Sequence, residues 1–398
     1  MGRFTVPEAV QTLGLPVYDP NDADFPRKTT PDPVQINHPA FRKPTLQDHV
    51  LYNEKPSLVL DGTDAEPMSA GLAQAGALLN AVIRKGFPDR LLKAASGVGD
   101  LPKHSDRLCD AIMHAERYDP TLEKLPRRHD PVLFWVVHPR MHGTPRIARN
   151  NILLDNLFRY SSVALKAQLS NANPQLAQLF EDFRIDRDEP LSSILPNGCS
   201  SEQHGVKDLV VRSHPHLTIQ SSKVFSPWAS SEEVEATAKE IVPDIRPIDP
   251  TIDLKSDHIY NREAVLARSW IPLHVHSIMW SREQDQKYPW TKEQLAANAI
   301  AHCFGAAVAQ ATRYGEVVDG RLKRPIVTRA VQLVDGRLDL VAFQLNTVDL
   351  NNRNSVKNIA WIEPAQQLYK PGPIWENYEK VVDLNESAFV KFFATLLG

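Results

Sequence analysis

The chain has 398 residues, a net charge of −3, 42% hydrophobic and 23% charged residues, ordinary proportions for a globular protein. The near balance of charge argues against a chain that coats itself in nucleic acid by charge alone and leaves only local basic patches. Three scattered cysteines, Cys109, Cys199 and Cys303, with no CxxC, argue against a disulfide framework and for a reducing compartment.

No run approaches the ~18 apolar residues of a membrane span. The start, "MGRFTVPEAVQTLG", lacks a secretory core and the Arg-rich, acid-poor character of a transit peptide. Residues 1–60 read as an extended arm. Prolines recur from Pro7 to Pro56, each removing a donor and biasing its predecessor towards extended geometry. Phe25, Phe41 and Tyr52 supply anchors along it.

A mainly helical part is expected over 61–228. From about 68, Leu72, Leu79, Val82 and Ile83 predict one helix ending near Gly86-Phe87-Pro88. A second is expected over 104–117, with Leu108, Ile112 and Ala115 on one side. "PVLFWVVHP", 131–139, predicts a short buried strand bounded by prolines. Residues 147–170 read as helix, and "LFEDFRIDRDEP" opens a polar loop region containing Gly198.

The remaining part, 229–398, is predicted as a helix plus a three-strand meander, and the two halves are compatible with one domain. Ser230 and Glu233 form a capping box for a helix to about Ile241. "PDIRPIDPTIDL" is a proline-spaced extended run. Thr291 and Gln294 cap a long helix over 291–313, whose small residues, among them Ala296, Ala297, Gly305 and Ala309, permit close approach. Strands follow at 325–334, 337–346 and 355–363, with Asp335-Gly336 as a type I′ turn between the first two. Trp361 and Ile359 alternate on the third strand and are predicted to pack on the long helix. A helix over 384–397 ends the order. The fold class expected is α/β (α+β): helices on a mixed sheet that includes a C-terminal antiparallel meander, with the proline-rich arm in front.

Candidate chemistry is sparse. His214-Pro215-His216 and His274-Val275-His276 each place two imidazoles on one strand face, but zinc needs three or four ligands. Ser96-Gly97-Val98-Gly99 is a lone GxG, and no GxSxG or HExxH occurs. A metal-dependent nuclease needs converging carboxylates at a sheet edge. Gln344 and Asn346 stand there instead, neutral amides of the type that satisfies buried hydrogen bonds. No catalytic residue, metal or cofactor is expected. The basic stretch over 124–149 is the nucleic-acid candidate: Arg127, Arg128, Arg140, Arg146 and Arg149, with Lys124, face only Asp130, and arginine forks match phosphate geometry.

"HCFGAAVAQATRYG", "RPIVTRAVQLVDGRLDLVAFQLNTVDL" and "SVKNIAWIEPAQQLY" together resemble the C-terminal signature of the mitochondrial large-subunit ribosomal protein thirty-seven family. "EEVEATAKEIVPDIRPIDPTIDL" is similar to the segment that precedes it there, and "HVLYNEKPSLVLDGTDAEPMSAGLAQAGALLNAVIRKGFPDRLL" to the family's N-terminal half. A paralogous family, mitochondrial ribosomal protein thirty, shares the DG hairpin and the QLNT run. Asp349-Leu350 after that run and Val356-Lys357-Asn358 before the Ala-Trp favour thirty-seven, while "FWVVHPRMHG" is closer to the paralogue. The resemblance implies a non-enzymatic structural constituent of the mitochondrial ribosome, in the matrix. It implies contacts with large-subunit ribosomal RNA and neighbouring ribosomal proteins, the paralogue included, and no small-molecule substrate. The competing class is an RNA-processing nuclease, or one that has lost its metal site.

Overall fold

The computed structural model describes residues 7–14, 52–61, 67–96, 105–116, 123–124, 132–133, 135–136, 142–172, 183–201, 205–245, 255–259, 272–284, 288–318, 320–370, 381 and 383–397. The chain divides into two units, Met1–Tyr52 and Asn53–Gly398. In the first, the described element is the single turn α1 (Glu8–Gln11). Of the arm expected over 1–60, residues 1–6 and 15–51 lie outside the described residues, while residues 52–60 are not arm but part of a sheet strand, Tyr52–Asp61, with Leu58, Val59 and Leu60 buried.

The second unit runs through β1 (Tyr52–Asp61), α2 (Gly71–Leu78), β2 (Ala81–Lys85), α3 (Asp89–Ser96), α4 (Ser105–Glu116), β3 (Glu123–Lys124), β4 (His142–Gly143) and α5 (Arg146–Ala172). Strands β5 (Phe183–Arg187), β6 (Leu191–Ser201), β7 (Gly205–Ser213) and β8 (Leu217–Ser221) follow. Then come α6 (Ser231–Ala236), a 3-10 turn (Thr237–Lys239), β9 (Lys255–Ile259), β10 (His274–Arg282) and α7 (Lys292–Arg313). The last elements are β11 (Val317–Val318), β12 (Arg321–Val334), β13 (Arg337–Thr347), β14 (Asn358–Gln367) and α8 (Glu386–Leu397).

Two sheets carry the fold. One has the order β6-β7-β1-β9, and the other β2-β14-β13-β12-β10-β8-β5, with β11 beside β12. The larger sheet is mixed: β12–β13–β14 is an antiparallel meander, while β2 adds to β14, and β10 to β12, in parallel. Helix α7 lies between the sheets. Its Ala299, Cys303, Phe304 and Ala307 share a core with Leu60, Leu195, Leu209 and Val211 of the smaller sheet and with Ala330, Val341, Phe343 and Ala360 of the larger one. That position explains its small residues: a Cβ on Gly305 would stand 2.8 Å from Val211 Cγ1. The opposite face of the larger sheet packs on α3, α4, α5 and α8, through Leu91, Ile112, Leu157, Phe389 and Phe392 against Val331, Leu338, Leu340 and Ile359.

The mixed α/β class, the meander, the long helix and both capping boxes agree with expectation. Beyond the strand at 52–60, four local expectations fail. Residues 81–85 are a strand, not the end of a helix: Asn80 takes φ +46, which stops the helix, and β-branched Val82 and Ile83 pair with Ile359 and Ala360. The polar region after residue 180 is not loop but β5 and β6, the latter hydrogen-bonded to β7. Within 131–139, the described residues form bends and a turn rather than a buried strand, with Val132 80%, Trp135 65% and Leu133 43% exposed. Trp361 packs on the helical layer away from α7, edge-on to Trp228 at 5.8 Å; Ala360 and Ile362, one residue either side, meet α7 instead. Of the proline-spaced run expected over 243–254, residues 243–245 belong to no helix or strand, and residues 246–254 lie outside the described residues.

Candidate functional site

The polar residues at the end of β13 serve the backbone. Gln344 Oε1 accepts from the N–H groups of Trp228 and Ala229, each at 2.9 Å. Its amide nitrogen donates to Asn346 Oδ1 at 3.0 Å, and Asn346 Nδ2 donates to the Lys357 carbonyl at 2.8 Å. Asn358 Oδ1 accepts from the N–H groups of Asn346 and Thr347, and its Nδ2 donates to the Leu79 carbonyl. These side chains are buried, where every unmet donor or acceptor costs free energy. Lys357 completes the arrangement. Its N–H donates to Thr237 Oγ1, and its Nζ donates to the carbonyls of Thr237, Ala238 and Ser355 at 3.0–3.3 Å. A cation there caps the end of the 3-10 turn, and burial lowers its basicity. The motifs QLNT and VKN therefore clamp the segment 228–240 and the end of α2 onto the sheet.

A second buried cation lies under the same segment. Arg329, fully buried on β12, sits between the rings of Phe225 and Trp228 at 5.1 and 5.0 Å and donates to the His276 carbonyl at 3.2 Å. Aromatic faces there contribute cation–π attraction. Burial pulls its guanidinium down to about 9. His276, edge-on to Phe225, is held well below the ordinary imidazole range by burial, so its ring is neutral. On the α7 face, Gln332 accepts from Trp280 Nε1 and Asn298 Nδ2 and donates to the Leu295 carbonyl and to Asp339. Burial pushes the Asp339 carboxyl up to about 6.

At the turn, Asp335 and Gly336 have φ +47 and +73, the two positive values that a type I′ turn requires. Asp335 also receives Arg146 of α5 at 2.9 Å. A cavity of about 580 Å³ opens beside this turn, with Arg337 and Lys370 but also Asp335 and Asp383 on its walls. Among the described residues, mixed charge gives it no preference for an anion, and its walls offer no nucleophile paired with a base. Among the described residues, no group of three or more His, Cys, Asp or Glu is placed to hold a metal ion. His274 and His276 lie in the core, against Tyr314 and Phe225.

Of the five arginines singled out, Arg146 and Arg149 start α5. Arg149 pairs with Glu116 at 3.2 Å, and Glu116 also accepts from the Tyr369 hydroxyl. Both arginines are thus tied to carboxylates of the fold, although Arg146 keeps a third of its side chain exposed. Arg127, Arg128 and Arg140 lie outside the described residues. Arg329, Lys357 and Asp339 were not anticipated. The groups that surround Arg329 and Lys357, in the segment 225–240, lie about a hundred residues away, so local spacing carries no trace of them.

Residues 202–397 match the family model described as mitochondrial 28S ribosomal protein S30 (PDCD9). The large ribosomal subunit protein mL37 of Bos taurus is 27% identical over 368 residues, covering 90% of this chain and 74% of that protein. Its counterpart from Gallus gallus is 28% identical over 349 residues, covering 83% and 72%. That from Mus musculus is 27% identical over 379 residues, covering 91% and 80%. The double resemblance, to the thirty-seven family and to its paralogue, is borne out.

Proposed function

We infer from this similarity that the chain is a mitochondrial large-subunit ribosomal protein of the mL37 type, a structural constituent of the ribosome in the mitochondrial matrix that catalyses no reaction. The observation that carries the reading is the length of the match, about nine-tenths of the chain, to relatives named as large-subunit proteins. The geometry supports it. A nuclease would spend the end of β13 on carboxylates that hold a metal, whereas Gln344, Asn346 and Asn358 spend their hydrogen bonds on backbone.

As a ribosomal component the protein contacts large-subunit ribosomal RNA and neighbouring ribosomal proteins, the paralogous protein thirty among them. The basic stretch at 124–149 supplies phosphate contacts, at least two of them from Arg127, Arg128, Arg140, Arg146 and Arg149. An arginine held by one carboxylate retains N–H donors for a phosphate. Reversing Arg127 and Arg128 to Glu then weakens RNA binding by the free protein and leaves protein pairing intact.

The test is depletion of the protein from cells, followed by labelling of newly made mitochondrial proteins and a profile of assembled large subunits. Loss of the large-subunit peak together with labelled products is expected. An intact peak with accumulated RNA precursors would favour the processing enzyme.

A further inference from the structure

Strands β12 and β13 do not pair evenly. Arg321 faces Thr347 and Ile326 faces Leu345, so β12 advances five residues while β13 advances two. The excess forms an irregularity of the bulge kind in β12, and bulges redirect side chains. β10 joins β12 in register only from Arg329 onward, and β11 lies beside the earlier part, with Val317 and Val318 opposite Leu322 and Arg321. The result is a narrow tip in which β11 and β13 flank Arg321 of β12.

The tip is basic. Arg321, Lys323 and Arg324 are exposed. Between residues 313 and 324 the sequence carries four basic residues, Arg313 included, and two acidic ones, Glu316 and Asp319. Glu316 pairs with Arg324, whose side chain stays 58% exposed, so it braces the guanidinium rather than hiding it. Lys323 Nζ donates to the Gly315 carbonyl at 3.3 Å and remains exposed. Asp349, which packs against Gly320, accepts from the Asn352 N–H. The apolar residues described there are exposed Val317 and Val318, half-buried Leu322, and Tyr314, whose ring packs on His274 and whose hydroxyl donates to the Leu273 carbonyl, so that it is engaged by the fold. A protein-binding hot spot typically has a buried aromatic anchor, whereas braced arginine forks suit phosphate.

We propose that Arg321, Lys323 and Arg324 dock this tip on ribosomal RNA phosphates, as a second contact separate from the basic stretch at 124–149. The proposal rests on the ribosomal function inferred above. At about 3.3 Å per residue, β12 sets the tip roughly 40 Å from the turn where Asp335 holds Arg146. A chain with net charge −3 would then reach two RNA segments with few cations.

The test measures binding of the full chain to a transcript of mitochondrial large-subunit ribosomal RNA across a salt series. Each neutralised phosphate contributes nearly one unit to the slope of log affinity against log salt. Replacing Arg321, Lys323 and Arg324 together by Gln should therefore reduce that slope by about two to three. Replacing the exposed Arg90, Lys93 and Arg107 of α3 and α4 by Gln, an equal change of charge, should leave it nearly unchanged. Circular dichroism checks that each variant is folded; if the triple variant is not, Lys323→Gln alone should lower the slope by about one. A wild-type slope in the tip variant, or an equal loss in the control, overturns the proposal and leaves the ribosomal reading standing. Wild-type protein that binds no ribosomal RNA overturns both.

Discussion

Gln344 Oε1 receives the backbone N–H groups of both Trp228 and Ala229, so one amide on β13 holds a segment 115 residues away. Gln344→Leu keeps the approximate volume and strands both donors. At about 1–3 kcal/mol for each unmet buried group, with Trp228 only partly buried, the expected loss is roughly 2–4 kcal/mol in urea unfolding. An unchanged midpoint would show that the segment is held by packing alone.

Trp361 fills the contact between β14 and the Trp228 segment. Trp361→Ala should cost about 3–5 kcal/mol. Because the ring lies on the face away from α7, the change should alter the indole environment of Trp228, read as a shift in residual fluorescence, while amide exchange in α7 stays slow in native conditions. Fast exchange confined to α7 would place the ring on the wrong side of the sheet.

Gly336, at φ +73, supplies a conformation that penalises any Cβ. Its carbonyl also accepts from the N–H groups of Leu368 and Tyr369, so the turn anchors the end of β14. Gly336→Val should lower stability by about 1–2 kcal/mol, seen as a lower thermal midpoint. Gly336→Asn, better tolerated at positive φ, should recover part of the loss.

Asp339 carries a pH dependence of definite sign. Burial raises its carboxyl from 3.8 to about 6, so the folded state binds the proton more tightly than the unfolded one. The stabilisation is complete below about pH 4 and is lost as pH rises to about 6, a change on the order of 3 kcal/mol. Asp339→Asn should remove this dependence. Unfolding free energies at pH 4 and 7 for both proteins give the comparison; parallel curves would mean that Asp339 titrates normally.

Where local pattern and tertiary demand coincide, the elements follow from sequence: Thr291 and Gln294 cap α7, and the alternation around Asp335-Gly336 forms β12 and β13. The misses share one cause. Val82 and Ile83 suit a helix or a strand, and only pairing with distant Ile359 and Ala360 decides. Trp361 alternates correctly with its neighbours, but both faces of a sheet covered on two sides are apolar, so alternation cannot say which face meets α7. Buried Arg329 and Lys357 resemble surface residues in sequence, because both aromatic rings and most of the carbonyls that receive them come from distant residues in 225–240 and from His276.

Membership of the mitochondrial large ribosomal subunit, as inferred above, is decided by sedimentation. Mitochondrial lysate is washed at a few hundred millimolar salt, where the Debye length falls from about 8 towards 3 Å, and resolved on a sucrose gradient. Exposed charge contacts weaken under that wash, whereas apolar protein contacts persist. The protein should remain in the large-subunit peak, while the same salt releases free protein from naked ribosomal RNA. Migration at the top of the gradient, away from the large subunit at low and high salt alike, would contradict the account.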